Sequence, residues 1–187
     1  MISADHGVHA VRRVSGLTEA QVHELALVLI DCVEGGASVS FMHPLPLPKA
    51  LAFWRQVAGD VERGARALLI AEDAGGIVGT VQVVLAQPEN QPHRADVSKM
   101  LVHRRARRAG IGASLMRAAE DAARQSGKSL LVLDTASSDA ERLYVRLGWT
   151  QAGIVPGYAL LPQGGLCATS FYYRSLEPQE LGTTALR

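Results

Sequence analysis

Cysteine is scarce in this 187-residue sequence: Cys32 and Cys167 are the only two, and neither belongs to a C-x-x-C pair. That excludes a disulfide framework and a zinc-binding pattern. The six histidines are scattered, and His6-x-x-His9 stands too isolated to suggest a metal centre, so no metal is expected. An excess of either charge is also missing. Nineteen Lys and Arg against eighteen Asp and Glu leave a formal net charge of +1, which argues against a protein built to coat a polyanion such as DNA. No apolar run approaches the ~20 residues that cross a bilayer, and the opening MISADHGVH has no apolar signal core. The expectation is a cytoplasmic, soluble protein with neither nucleic acid nor membrane as partner.

What is present suits one globular domain over residues 1–187. Its core spans about 9–175, and a frayed tail runs over 177–187. His9–Val14 reads as a short strand. Thr18-x-x-Gln21 has the capping-box form and opens a helix carried by Val22, Leu25, Ala26, Leu29 and Val33, stopped at Gly35-Gly36. Pro48 suits the first turn of a second helix with Leu51, Trp54, Ala58 and Val61 on its buried stripe. Residues 67–71 and 77–86 form a hairpin around Asp73-Ala74-Gly75-Gly76. A strand at 95–102, a helix from Gly110 to Gln125 and the apolar strand SLLVLD at 129–134 make a βαβ unit. Ser138-x-x-Glu141 reads as a second capping box opening a short helix that ends at Gly148. Strands near 151–155 and 169–175 follow, joined by a Gly/Pro-rich connection. The fold class is therefore α/β in the α+β sense: a mixed, mostly antiparallel twisted sheet of about seven strands, a central βαβ unit and about four helices.

The densest positive charge sits beside the most permissive backbone, in RRARRAGIG at 104–112. A helix N-terminus carries unpaired N–H groups and about half a unit of positive charge. Glycines there let an anion approach the backbone, and arginines suit phosphate geometry. The stretch reads as a diphosphate cradle. A P-loop is excluded because no lysine follows the glycines, and a dinucleotide fingerprint is disfavoured because Leu115 occupies its third glycine position. No aromatic residue interleaves with the cluster, against a nucleic-acid role.

Arg107-x-x-Gly110-x-Gly112, with Met100-Leu101-Val102 before it and Ser137-x-x-Ala140-x-x-Leu143-Tyr144-x-x-x-Gly148-Trp149 after it, resembles the GNAT N-acetyltransferase superfamily. Gly35-Gly36-Ala37-Ser38-Val39, Phe41-Met42, Leu133-Asp134-Thr135 and Pro156-Gly157-Tyr158 extend the likeness toward the tabtoxin-resistance acetyltransferases, over roughly Val11 to Tyr173. Departures are Arg104 where many members have proline, Ser137 for the usual asparagine and Leu143 for the usual phenylalanine. The resemblance implies acetyl-CoA as co-substrate, held by Leu101, Val102, Arg107, Arg108, Ala109, Gly110, Ile111, Gly112, Ala113 and Ser137. It implies acetyl transfer to the primary amine of a small molecule, amino-acid-like or toxin-like. Protein N-terminal or lysine acetylation and a CoA-binding sensor without turnover are the other readings. Homodimers occur in such proteins, although no helix here advertises an interface.

Direct attack of an amine on a thioester needs a deprotonated amine, a stabilised oxyanion and a proton for the leaving thiolate. Tyr144 is the candidate acid. Asp96 and Asp134, each at an end of a central strand, are both candidates for the base. Ser38, Phe41, Gln82 and Tyr158 are the expected acceptor-pocket residues, from the parts of the chain that are least standard.

Overall fold

A computed structural model describes residues 9–176. The element order is β1 (Ala10–Val14), α1 (Glu19–Glu34), α2 (Leu47–Glu62), β2 (Arg66–Asp73), β3 (Gly76–Val84), β4 (Arg94–Val102), α3 (Ile111–Gln125), β5 (Leu130–Thr135), α4 (Ser138–Arg146), β6 (Thr150–Leu160) and β7 (Leu166–Ser175). The strands form one seven-stranded sheet in the order β1-β2-β3-β4-β5-β7-β6. Among the described residues only the β4–β5 pair is parallel. The expected mixed, mostly antiparallel sheet with four α-helices is what the chain forms. The expected tail from Glu177 lies outside the described residues.

Period-two alternation along the strands divides the core in two. Ala67, Leu69, Val81, Val83, Leu131 and Leu133 face α3, while Leu68 and Ile70 face α1 and α2 with Leu25, Leu29 and Trp54. The Thr18 hydroxyl and the Gln21 side chain cap α1 reciprocally, as the sequence predicts. Two local expectations need correction. The N-cap of α4 is Ser137, not Ser138: its Oγ accepts from the Ala140 N–H at 3.4 Å. Glu141 is not part of a box, because its carboxylate accepts from the Ser170 hydroxyl at 2.6 Å. The supposed connection at Pro156-Gly157-Tyr158 lies inside β6, where the register with β7 shifts between Val155 and Ala159. An edge strand tolerates proline because that N–H need not join the ladder.

The turn after β4 is tied back to α1. Asp31, whose side chain is only 10% exposed, accepts from the Arg104 backbone N–H and from Arg104 Nε, each at 2.8 Å. Burial alone would raise the Asp31 carboxyl; the bonds from Arg104 and the nearby charges of His103 and Arg104 outweigh it and hold the group below its ordinary value. A depressed carboxyl contributes stability that is present above the unfolded value of about 3.9 and is lost as pH falls through the folded one. Asp31→Asn is therefore expected to cost about 1–2 kcal/mol at neutral pH, a melting temperature roughly 2–8 °C lower. The difference should shrink below about pH 4, which thermal melts of both proteins across pH would check.

Candidate active site

Parallel pairing of β4 with β5 ends at Asp96↔Val132. Beyond that point β4 runs on to Val102 without a neighbour on its β5 side, so the sheet opens between the C-terminal ends of the two strands. Within this free stretch β4 carries a bulge: Thr80 pairs with Leu101 and Gln82 with Ser98, leaving Lys99 and Met100 opposite Val81 alone. Lys99 has φ +50°, the left-handed region that such an extra residue can require. His103 N donates to Val78 O at 2.8 Å. By antiparallel alternation, Leu101 bonds to β3 and the Val102 N–H points away from it, while the Val102 carbonyl accepts from Arg107 Nε at 3.1 Å and from Cys32 Sγ at 3.6 Å.

Past Val102 the chain makes a short 3-10 turn at Arg104–Ala106 and enters α3 through Gly110. Gly110 is the N-cap at φ +81°, and Arg108 is left-handed at φ +63°. No side chain caps α3. The first N–H groups of the helix, at Ile111, Gly112 and Ala113, have no intrahelical acceptor and point out of its end. That is the chemistry of an anion site. Gly112 has a further steric reason: a Cβ there would lie 3.1 Å from Leu143 Cδ2 and 3.7 Å from Met100 Sδ. Its hydrogen lets α3 sit against both β4 and α4.

The four arginines divide their work. Arg104 bonds Asp31 and reaches Glu34 at 3.3 Å, and Arg105 pairs with Asp73 at 2.5 and 3.1 Å. Arg107 Nε donates to the Val102 carbonyl at 3.1 Å, closing the turn on itself. Arg108 is exposed and forms no ion pair among the described residues. Of the cluster, Arg107 and Arg108 are thus the guanidiniums without an ion pair among the described residues, and Arg108 makes no side-chain hydrogen bond there either.

Tyr144 on α4 is 5% exposed, its ring 6.0 Å from that of Trp149 and 5.8 Å from that of Tyr172. Burial pushes its phenol well above the ordinary tyrosine value, and the charge of Asp134 adds to the rise. The group keeps its proton and is available as a hydrogen-bond donor. Asp134 ends β5 on the face opposite to Leu131 and Leu133, and it forms no ion pair among the described residues. It lines a cavity of about 280 Å³ together with Ser38, Ser40 and Phe41 of the α1–α2 loop, Tyr158 of β6 and Thr169 of β7.

The structure thus brings Asp134, Ser38, Phe41 and Tyr158 to one cavity. Two other expected residues are placed elsewhere. Asp96 is ion-paired with Arg94 and accepts from Gln87 Nε2 at 3.1 Å, at the end of β4 where pairing with β5 is intact. Gln82 is fully buried, and its Oε1 accepts from Arg66, which also pairs with Asp60 at 3.1 Å. Ser137 spends its hydroxyl capping α4. A residue that the sequence reading passed over is Lys99, whose position follows from a bulge that no periodicity signals. No group of His, Cys, Asp and Glu that could hold a metal occurs among the described residues. No helix among them is long and apolar enough to cross a membrane.

The uncapped α3 terminus and the C-terminal half of β4, unpaired with β5, lie within one segment of the chain. Residues 38–149, more than half of the chain, match the acetyltransferase (GNAT) family. The chain belongs to that family. Solved GNAT-like structures share its fold at low identity. An N-acetyltransferase from Staphylococcus aureus Mu50 is 16% identical, with a TM-score of 0.75 over 91% of this chain and 99% of its own. A ribosomal-protein-alanine N-acetyltransferase from Brucella melitensis is 22% identical, with a TM-score of 0.75 over 89% and 99%. A phosphinothricin acetyltransferase from Sinorhizobium meliloti, solved with acetyl-CoA, is 16% identical, with a TM-score of 0.73 over 94% and 96%. As a GNAT protein, this chain places its arginine-glycine turn at the start of the helix that follows β4.

Proposed function

We propose that this protein is an acetyl-CoA-dependent N-acetyltransferase whose acceptor is the primary amine of a small, amino-acid-like or toxin-like molecule. Acetyl-CoA supplies the acetyl thioester and carries the departing negative charge on sulfur. The residues present fit it: the first-turn amides of α3 have no side-chain cap, and Arg108 has no ion-pair partner beside them. These groups would hold the diphosphate, with the pantetheine arm along the Val102 edge. Tyr144 would donate a hydrogen bond to the leaving sulfur. Because its phenol is pushed upward, donation rather than complete transfer of its proton is the favoured role. Asp134 would orient the acceptor's ammonium group and take its proton.

The observation that carries the small-molecule reading is the outer wall of the cavity. Ser38 Oγ donates to Leu160 O at 3.1 Å and His43 N donates to Pro162 O at 2.9 Å. These bonds strap the α1–α2 loop to the β6–β7 hairpin, across the place where a peptide groove between helices and hairpin would run. A cavity of about 280 Å³ approaches the size range of small-molecule sites. The phosphinothricin acetyltransferase among the similar structures is in keeping with this acceptor class.

Calorimetric titration of acetyl-CoA tests the cofactor half. Gly112→Trp is unsuited, since its side chain would collide with Leu143. Arg108→Glu is the better probe, because the residue is exposed and reverses charge without touching the core. Wild type is expected to bind, and the variant to bind at least about tenfold more weakly, or about 1.4 kcal/mol. Equal affinities would remove Arg108 from the site. Failure of a well-folded wild type to bind would overturn the reading.

A further inference from the structure

Lys99 and Asp134 are opposite charges near one cavity that do not neutralise each other. Lys99 Nζ donates to Ser40 Oγ at 3.2 Å and lies 5.9 Å from the Phe53 ring centroid. Ser40 and Asp134 both line the cavity. Burial lowers the Lys99 ammonium, while the attraction of Asp134 opposes that and the charge of Arg66 reinforces it. Yet no carboxylate among the described residues comes within 4.0 Å of Lys99 Nζ. Arg66, the other cation on this face, is already engaged by Asp60 and Gln82. A partly buried cation without an anion is costly to keep unless something of opposite charge arrives. The β4 bulge, at a left-handed backbone position, is what turns Lys99 toward the α1–α2 loop.

We infer that Lys99 is a specificity-determining residue that reads a carboxylate on the acceptor, while Asp134 receives the amine of the same molecule. The inference rests on the acetyltransferase reading above and deepens it: the preferred acceptor is zwitterionic, a free amino acid by class, and not a simple amine or a peptide terminus whose carboxylate lies far away. Ser40, which lines the cavity with Asp134, holds the lysine tip at the cavity's edge.

The test is acetylation of matched acceptors: free amino acids, their carboxamides and the corresponding decarboxylated amines, each with wild type, Lys99→Met, Lys99→Gln and Lys99→Arg. The expected result is an acid-over-amide ratio of kcat/KM in wild type that falls at least about tenfold in Lys99→Met and Lys99→Gln and is largely kept in Lys99→Arg. A lysine that merely anchors the loop would lower all three acceptors together and leave the ratio unchanged, and that outcome overturns the inference. So does wild-type turnover of decarboxylated amines as fast as the acids, which leaves the acetyltransferase reading standing. Wild type that binds acetyl-CoA and acetylates no amine defeats both readings. If the neutral variants do not fold, as judged by melting and acetyl-CoA binding, the wild-type preference among the three acceptor forms decides alone.

Discussion

Replacing Tyr144 by phenylalanine is expected to lower kcat by about 10²–10⁴-fold, the usual worth of a positioned acid, with little change in folding. The ring's partners are Trp149 and Tyr172, both of which would still meet a phenyl group. A residue that served only to pack α4 would tolerate the change almost without loss of rate. Stability and catalysis therefore separate the two roles. Affinity for acetyl-CoA should also hold, because the cradle is built at the α3 terminus and not at α4. An equally fast variant would return Tyr144 to the core, and the leaving sulfur would need another donor. The upward shift of the phenol carries its own consequence. Burial is its main cause and the charge of Asp134 adds to it, so both keep the Tyr144 proton in place as a donor at neutral pH.

The backbone of this site was legible in the sequence because its signals are local. Thr18 and Gln21 cap α1 within one turn, and Gly110 breaks the chain into α3 where a glycine can take φ +81°. The continuous apolar run of SLLVLD at 129–134 marks a central strand. What was not legible depends on pairing across long separations. Arg104 and Arg105 look like phosphate ligands until Asp31 and Asp73 arrive from 73 and 32 residues away. Asp96 and Asp134 are indistinguishable as strand-end acids, yet only the first meets an arginine on its own strand. Gln82 lies on the correct face of β3, but Arg66 from the neighbouring strand takes its oxygen. The Ser137 cap was misplaced by one residue because both serines can start a helix, and the choice falls to Glu141 finding Ser170 instead of closing a box. Lys99 escaped notice for a different reason. A bulge shifts the register between β3 and β4, and no pattern within β4 itself encodes the strand opposite.

Asp134→Asn is expected to reduce turnover at pH 7 by about 10²–10³-fold, within the range for loss of a general base. The asparagine keeps the shape of the cavity lining while removing both the charge that attracts an ammonium group and the site that accepts its proton. The defect should depend on pH with a definite sign. Below the amine's own pKa, about 10 for a lysine-like amine, the free-base fraction rises tenfold per pH unit. The variant must rely on that fraction, so its rate should climb steadily with pH, whereas wild type draws on Asp134 and climbs less. The ratio of wild type to variant is thus largest near neutrality and closes toward pH 10. Asp96→Asn provides the contrast. Its carboxylate is held by Arg94 and Gln87, so the expected outcome is a small loss of stability and a rate within a few-fold of wild type at every pH. Rate profiles of the two variants between pH 6 and 10 would exchange these roles if Asp96 were the base: the flat, modest loss would then belong to Asp134 and the steep recovery to Asp96.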